Sequence, residues 1–420
     1  MRILIVTNHF WPEDFRINEL AVLLRQRGHE VTVLTAVPDY PAGRFPEGYG
    51  WFRKTREDYL GVQVRRAPII PRGRGGSIRL AANYVSFALT ATLLAPFYCR
   101  GKHDVVFVFE TSPITVGIPA CLLKWWKGCP LLFWVLDLWP ESLAAAGGIN
   151  TSLILRPVGA IVRWIYRRCD QILISSRGFA SSVARHGARP EQIRYFPNWA
   201  ETTYENTTCS ETHDLPSLPN GFRILFAGNI GEAQAFPTIL DAAERLRNQA
   251  DIHWLVLGDG RKYDWVKSQV DQRGLAANVH LLGRFPARQM PSFFRQADTL
   301  LVTLKSDPIF SLTVPGKLQS YMRCGKPIIG ALDGEGAALI TLAGAGMVSP
   351  AENPAELAKT VLAMYNLNEQ QRRQMGEQGK AYCKQHFDRE RLVEQLETWM
   401  VEAVAWRRNR RLSGRFVSKR

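Results

Sequence analysis

The chain has 420 residues, a length that suits two domains, each large enough to bury a core of its own. With 46% hydrophobic and 22% charged residues the composition is that of a globular protein. Lys and Arg number 53 and Asp and Glu 38, so the net charge of +15 predicts a polyanionic partner: a nucleotide, a nucleic acid or an anionic membrane surface. The seven cysteines are scattered and form no C-x-x-C pair, which favours reduced cytosolic thiols over disulfides or a zinc site.

The first half of the chain alternates apolar runs with helical ones. Strands are predicted at residues 3–7, 31–35, 104–109, 131–136 and 171–175. Continuous apolar strands separated by helices predict a parallel sheet that is covered on both faces. Ligands bind such sheets at the carboxyl ends of the strands. The loops there are rich in carboxylates and aromatic residues, which suits a sugar, although residues such as Asp14 and Ser142 are equally typical of plain helix caps.

Residues 78–99 form a long apolar run that approaches the ~20 residues needed to span a bilayer. The segment 114–126 leads into Lys-Trp-Trp-Lys (124–127), and residues 155–168 interleave arginines with aromatic residues. A spanning helix would divide a sheet domain between two compartments, so shallow insertion of a basic, apolar face is predicted. A buried core helix remains the alternative, because periodicity alone does not separate the two.

A polar segment, residues 199–220, is predicted to be a linker, after which the alternation of strands and helices restarts. Strands are predicted at residues 222–227, 252–257, 279–282 and 298–303. The first two are followed directly by glycine-rich loops, 228–231 and 258–260, where the backbone can approach a phosphate closely.

The sequence of residues 306–332 predicts a loop, a helix, a turn and a strand, in that order. Pro315 and Gly316 precede a predicted helix at 317–324, and Lys317 lies in its first turn. Free backbone N–H groups and the helix dipole favour an anion there, and the predicted ligand is the diphosphate of a nucleotide-sugar. The motif is not a P-loop, because Ser311 and Leu318 stand where that motif requires glycine and Ser or Thr. An ordinary helix start with a surface lysine is the alternative.

Seven motifs stand out in combination. They are NHFWPE (8–13), RGHEVTVLT (27–35), PDYPAG (38–43), DLWPES (137–142), GNIG (228–231) with Gln234, LGDG (257–260), and VPGKLQSYM with CGKP (314–327). Together they resemble a GT-B glycosyltransferase of family four, in the WbuB-like branch of bacterial surface-polysaccharide enzymes. The resemblance extends over residues 1 to about 405.

The resemblance implies an α/β protein with two Rossmann-like, doubly wound parallel-sheet domains that face a cleft, and a C-terminal helix that crosses back to the first domain. The expected segments are an acceptor-binding domain (1–198), a linker (199–220), a nucleotide-sugar-binding domain (221–388), the returning helix (389–408) and a basic tail (409–420).

The implied activity is transfer of a sugar from a nucleoside-diphosphate-sugar to a polyprenyl-diphosphate-linked acceptor in O-antigen, capsule or exopolysaccharide assembly. Retention of configuration, no metal and no cofactor are expected. The protein is expected to lie peripherally on an anionic membrane surface, the cytoplasmic face of the bacterial inner membrane. No nucleic acid partner is expected. The alternatives are a non-catalytic scaffold that binds nucleotide-sugars and a dinucleotide-dependent epimerase or reductase, although no complete G-x-G-x-x-G fingerprint is present.

Site residues follow from the loops and the resemblance together. The candidate catalytic residues are Lys317, Glu110 and Asp137. The candidate donor-binding residues are Gly228, Asn229, Gly231, Gln234, Gly258, Asp259, Arg284, Pro315, Gly316, Lys317 and Glu335, with the backbone amides of residues 229–231 as phosphate donors. The candidate acceptor-binding residues are His9, Glu13, Asp39, Tyr40, Glu110, Trp139 and Glu141.

One departure from the family pattern concerns its Glu-x7-Glu pair. By register against CGKP, Leu312 and Ser320 occupy the two positions, and neither is acidic. The WbuB-like branch uses a P-x-K form instead, which here is Pro315 to Lys317. Glu335 is the candidate to replace the missing carboxylate at the donor ribose.

Overall fold

The computed structural model describes residues 1–73, 76–143, 151–201 and 215–417. Its contacts divide into two compact units. Unit 1 comprises Met1–Phe196 and Glu390–Arg420, and unit 2 comprises Pro197–Arg389. The predicted linker contributes to unit 2, because Ala200 is buried in its core and Leu215 and Leu218 pack against that core. Residues 202–214 of the linker lie outside the described residues.

The described part of unit 1 is built on an eight-stranded sheet. Its strands are β1 (Arg2–Thr7), β2 (Glu30–Ala36), β3 (Arg56–Tyr59), β4 (Val62–Ala67), β5 (Val105–Glu110), β6 (Leu131–Val135), β7 (Gln171–Ile174) and β8 (Ile193–Tyr195). Its helices are α1 (Arg16–Gln26), α2 (Ser77–Tyr98), α3 (Gly117–Lys127), α4 (Ser152–Tyr166) and α5 (Phe179–Arg185). The spatial order is β3-β4-β2-β1-β5-β6-β7-β8, and every pairing is parallel except that of β3 with β4.

Unit 2 repeats this plan with six described strands, all parallel. They are β9 (Phe222–Ala227), β10 (Ile252–Leu257), β11 (Val279–Gly283), β12 (Thr299–Thr303), β13 (Ile328–Ala331) and β14 (Gly346–Ser349), in the order β11-β10-β9-β12-β13-β14. The helices are α6 (Phe236–Arg245), α7 (Tyr263–Gln272), α8 (Met290–Gln296), α9 (Pro308–Ser311), α10 (Lys317–Arg323), α11 (Gly334–Leu342), α12 (Pro354–Asn366) and α13 (Glu369–His386).

Apolar layers cover both faces of the unit 2 sheet. Ile224 and Phe226 belong to one buried cluster, and Leu225 between them belongs to the other. This follows from the strand geometry, since successive side chains point to opposite faces. The core thus has the two-sided form that the continuous apolar strands predicted.

The last helix, α14 (Arg389–Val417), packs on unit 1, as the resemblance implied. Glu397 accepts hydrogen bonds from Arg27 at 2.8 Å and pairs with His29 at 2.6 Å. Trp399 packs edge-on against Phe196, with ring centres 6.0 Å apart. Polar and aromatic contacts therefore both tie α14 to unit 1.

Four strands were not predicted from the sequence: β3, β4, β8 and β14, the last of which forms one edge of the unit 2 sheet. β3 and β4 form an edge hairpin whose sequences, REDY and VQVRRA, are too polar to read as an apolar run. β8 has only three residues. Edge strands are half solvated and need no continuous apolar sequence.

Candidate functional site

Each sheet has one position where the chain reverses the direction in which strands are added. In unit 1 it lies between β1 and β5, and in unit 2 between β9 and β12. Loops leaving the carboxyl ends of such neighbouring strands diverge and open a crevice for ligands. These two edges are therefore the candidate sites, and each is described separately.

Two glycine loops touch at the unit 2 edge. Gly228 follows β9 and Gly258 follows β10, and both have positive φ angles, +143° and +142°. A Cβ atom on Gly258 would lie 1.8 Å from the carbonyl oxygen of Gly228. Only glycine therefore allows the two loops to pack in this way.

Lys317 points its ammonium group at these loops. Its Nζ lies 3.9 Å from the centre of the Phe226 ring, and a Cβ on Gly228 would come within 2.9 Å of it. Nζ is shielded from solvent and has no hydrogen-bond partner among the described residues. Burial lowers the pKa of Lys317 to about 7. The alternative of an ordinary surface lysine is therefore wrong for this residue.

Tyr321, one turn further along α10, fixes the helix to the end of β9. Its hydroxyl donates to the carbonyl of Ala227 at 3.2 Å and accepts from the Ala227 N–H at 3.0 Å. Both contacts come directly before Gly228. The position of Lys317 relative to the glycine loop is thus set by a buried tyrosine that the sequence analysis did not single out.

The backbone amides predicted to bind phosphate are partly engaged. The N–H of Ile230 donates to the carbonyl of Asp259 at 2.9 Å, and that of Gly231 donates to Oε1 of Gln234 at 3.1 Å. These two amides, predicted to donate to phosphate, are already engaged because the glycine loops hydrogen-bond to each other and to the following turn. Of the amides of residues 229–231, that leaves Asn229 as the donor candidate.

The other donor candidates differ in exposure. Asn229, Asp259 and Arg284 are exposed. Arg284 follows β11, two strands away from β9. Glu335 is half-buried in the first turn of α11 and makes no hydrogen bond or ion pair with the described residues. Pro315 lies beside the same turn, since a Cβ on Gly336 would be 3.1 Å from its Cδ.

At the unit 1 edge, His9 and Glu13 form a buried pair. His9 Nδ1 lies 2.6 Å from Glu13 Oε2, and the other carboxylate oxygen accepts the backbone N–H groups of Asp39 and Tyr40 at 2.7 Å each. His9 also stacks on Phe15, with ring centres 4.7 Å apart. Four of the predicted acceptor residues are thus brought into one network.

Arg72 completes this network and was missed by the sequence analysis. Its guanidinium lies 2.6 Å from His9 Nε2 and 5.5 Å from the Tyr40 ring centre. A guanidinium can only donate, so Nε2 accepts and the histidine proton lies on Nδ1, facing Glu13. Asp39 accepts the Arg72 backbone N–H at 2.7 Å and an Asn83 side-chain N–H at 3.0 Å. Burial raises the pKa of Asp39.

The two predicted catalytic carboxylates lie side by side. Glu110, the last residue of β5, is fully buried, and its Oε2 accepts the backbone N–H of Asp137 at 3.3 Å. Burial first, and then the charge of Asp137, raise the Glu110 pKa well above its usual value. Burial raises the Asp137 pKa to about 6, while a hydrogen bond from the Ser142 hydroxyl opposes the rise. Burial therefore favours the protonated form of both groups, and a pKa of about 6 still lets Asp137 ionise at neutral pH.

Further polar groups surround this pair. Glu141 accepts the Ser182 hydroxyl at 2.5 Å, and its other carboxylate oxygen is buried without a partner among the described residues. The Tyr166 hydroxyl is likewise buried, and the charges of Glu110 and Glu141 raise its pKa further above the value set by burial. Trp139 is buried against Tyr84, with ring centres 6.4 Å apart. Tyr166 and Tyr84 carried no motif signal, because lone tyrosines on helices are usual core residues.

Two family models match the chain. One described as "Glycosyl transferase 4-like domain" matches residues 15–199, and one described as "Glycosyl transferases group 1" matches residues 221–366. Together they cover more than three quarters of the sequence. The chain belongs to the family-four glycosyltransferases.

Relatives of this glycosyltransferase agree with that assignment. From Escherichia coli K12, "Putative colanic acid biosynthesis glycosyl transferase WcaI" is 26% identical over 338 residues, which span 77% of this chain and 82% of the relative. From Pseudomonas aeruginosa, "Probable glycosyltransferase WbjE" is 26% identical over 270 residues, which span 62% and 66%. The expected family is confirmed.

The solved structure of HepE from Anabaena, in complex with UDP, resembles this glycosyltransferase with a TM-score of 0.67 at 15% identity. The match covers 96% of this chain and 100% of HepE. At that identity the likeness concerns the fold, and the predicted GT-B fold is confirmed.

Proposed function

We propose that this glycosyltransferase moves a sugar from a nucleoside-diphosphate-sugar to a lipid-linked acceptor during assembly of a bacterial surface polysaccharide. The observation that carries the proposal is the Lys317 ammonium, buried beside the glycine loops without a counter-ion among the described residues. Burying a cation is costly unless an anion pairs with it, and a nucleotide diphosphate supplies that anion. The similarity to WcaI, which is named for colanic acid biosynthesis, and to HepE, which was solved with UDP, supports this class of pathway and of donor.

Lys317 would act on the leaving group. As the glycosidic bond to the donor breaks, negative charge grows on the departing diphosphate. A fixed cation in a low-dielectric site stabilises that charge more than it stabilises the intact donor, and so accelerates the step. Neither a metal ion nor a cofactor enters this proposal, and retention of configuration follows the family resemblance.

Asp137 is the better candidate to meet the acceptor. With a pKa of about 6 it is ionised at neutral pH yet basic enough to accept a hydroxyl proton. Glu110 is fully buried, its pKa is raised well above the usual value, and it accepts the Asp137 backbone N–H, so its role is to hold that backbone in place. Asp137 is thus proposed as the catalytic carboxylate, and Glu110 as the residue that positions it.

Helix α2 supports a lipid-linked acceptor. By length and composition α2 could cross a membrane, although 28% of its most apolar window is buried. Val85, Leu89, Leu93 and Phe97 recur every four residues and are each more than half exposed, forming an apolar stripe. Its other face is anchored, because Asn83 donates to Asp39 and to the carbonyl of Ile70. A helix fixed to the sheet along one side favours lying on a membrane over spanning it.

The membrane contact is tested by extraction. The protein should sediment with anionic vesicles and be released by alkaline carbonate. A peripheral helix is held to the membrane only by shallow burial and by an attraction between charges that salt screens. Release by detergent alone would show that α2 inserts more deeply than proposed.

The donor is tested by a thermal-shift panel of UDP-, GDP- and dTDP-sugars on the parent and on Lys317→Met. One nucleotide class should stabilise the parent, and the variant should lose most of that stabilisation while keeping its own melting temperature. Lys267→Met, at an exposed lysine of unit 2, is the matched control. If no sugar nucleotide stabilises the parent, the donor assignment is wrong.

A further inference from the structure

A large groove lies at the amino-terminal edge of the unit 1 sheet, opposite the edge that holds His9 and Asp137. Its volume is about 1380 Å³. Its walls are the loops that lead into β5 and β6, residues 100–104 and 126–130, and part of α14, residues 404–410. No step proposed above uses this groove.

The groove is strongly basic. Arg100, Lys102, Lys127 and Arg408 line it, and none forms an ion pair with a carboxylate within the described part of the chain. Asp104, the one carboxylate in its lining, is already paired with Arg2 at 2.9 Å. Like charges gathered without counter-charges repel each other, and a bound anion would relieve that repulsion.

The groove also has fixed polar groups. Arg407 donates to the carbonyl of Gly128 at 3.0 Å, and Lys127 donates to that of Gly101 at 2.7 Å, so these cations are held in place. His103 Nδ1 is buried without a hydrogen-bond partner among the described residues. Burial, together with the charges of Lys127 and Arg2, lowers the His103 pKa to about 4, so the ring is a neutral hydrogen-bonding group.

Aromatic rings connect the groove to the apolar stripe of α2. Lys127 lies 3.9 Å from the centre of the exposed Trp126 ring, and Arg100 lies 5.9 Å from that of Phe97. Phe97 is the last residue of the stripe. The cations of the groove therefore adjoin an apolar surface that suits lipid tails. A single lipid molecule can place its anionic headgroup in the groove and its acyl chains against this surface.

We propose that this groove binds the phosphate of an anionic phospholipid headgroup and so fixes how unit 1 rests on the membrane. This inference rests on the membrane contact in the proposed function and adds a specific binding site to it. An acidic lipid fits better than a soluble phosphate because the basic residues border exposed apolar side chains. The acceptor loops lie at the opposite edge of the same sheet, so lipid bound here leaves them open.

The test compares two triple variants of the full chain. In the groove variant, Arg100→Glu, Lys102→Glu and Arg408→Glu reverse three exposed charges. In the control, Lys267→Glu, Arg373→Glu and Lys384→Glu reverse three exposed charges of unit 2. Sedimentation with phosphatidylglycerol vesicles should weaken about 100-fold for the groove variant, the size expected when three basic residues leave an acidic surface, and by less than fivefold for the control. Phosphatidylcholine vesicles should bind neither variant.

Hydrogen exchange then locates the contact. Phosphatidylglycerol vesicles should protect the backbone of residues 100–104 and 127–130 in the parent. An equal loss of binding in both triple variants, or unchanged binding in the groove variant, would overturn the proposal in favour of overall charge or of α2 alone. Protection by inorganic phosphate but not by vesicles would assign the groove to a soluble anion. None of these assays needs sugar transfer, so their failure is separate from failure of the proposed function.

Discussion

The carboxyl edges of the two sheets withdraw groups of opposite charge from solvent. In unit 2 a cation, Lys317, is buried with no counter-ion among the described residues. In unit 1 the carboxyl groups of Glu110 and Asp137 are withdrawn from solvent with no cation beside them in the part of the chain that the structure describes. Burial disfavours the charged form in both cases, so the pKa of the lysine falls and those of the carboxyl groups rise.

This difference in charge indicates which kind of ligand each edge binds. An anion arriving at unit 2 restores the charge of Lys317, so binding and catalysis use the same group. A hydroxyl arriving at unit 1 meets Asp137 in its ionised form, and a pKa of about 6 makes that carboxylate basic enough to accept a proton. The comparison thus separates a group that stabilises charge from a group that moves a proton, and each of the following predictions tests one side of it.

The largest expected effect comes from removing the isolated cation. Lys317→Met should lower kcat about 100-fold or more, the scale of losing one preorganised donor to a developing anion. Methionine keeps the length of the side chain and fits the apolar contact with Phe226. Steady-state kinetics of sugar transfer measures the loss, with Lys267→Met as control. Unchanged turnover in a folded variant would make Lys317 structural.

A second pair of variants separates the two carboxyl groups. Asp137→Asn should lower transfer about 100-fold, the lower end for a general base, while Glu110→Gln should change it less than threefold. Glutamine resembles the protonated form that burial favours for Glu110. Thermal shift with the donor should be unaffected in both. A large loss of transfer in Glu110→Gln with stability retained would reverse the roles given to these residues.

The contrast also explains how much could be predicted from sequence. Glycines and a proline before Lys317 are visible as a pattern, and they predicted both the helix at 317–324, observed as Lys317–Arg323, and the position of the lysine. The engagement of the Ile230 amide was not predictable, because it depends on how two loops about 30 residues apart along the chain meet, whereas the Gly231 amide is engaged locally by Gln234.

Fewer of the site residues of unit 1 could be predicted from the sequence, and the reason is physical. His9, Glu13 and Asp39 were nominated because they follow strands, and that rule does bring them together. Arg72 follows no predicted strand, and its role arises only where the chain returns to His9. Burial decides between Glu110 and Asp137, and it is a property of the packed sheet that neither residue's neighbours reveal.

Binding of free UDP should depend on pH through Lys317. Its pKa is about 7 in the absence of ligand, and a bound diphosphate should raise it. Binding then takes up a proton above pH 7, so affinity is full below pH 7 and falls as pH rises, by about tenfold per unit at most. The terminal phosphate titrates near about 6 and is ionised in this window. Calorimetry at pH 7.5 and 8.5 measures the fall.

Lys317→Arg is the control for that titration, because arginine stays charged throughout this range. Its UDP affinity, even if lower, should be the same at both pH values. An equal fall in the parent and the arginine variant would assign the pH dependence to another group.

The smallest expected effect concerns Glu335, a carboxylate in the first turn of α11 that has no hydrogen-bond or ion-pair partner among the described residues. If it accepts a ribose hydroxyl, the interaction is the same before and during bond breakage. Glu335→Gln should therefore raise the KM for the donor about tenfold, the range of one hydrogen bond to a charged group, and leave kcat unchanged. Glu356→Gln, at a carboxylate paired with Lys359 in α12, is the control. A fall in kcat with KM unchanged would place Glu335 at the reacting bond instead. Lys317 would then not be the one residue of unit 2 proposed to act on the transition state.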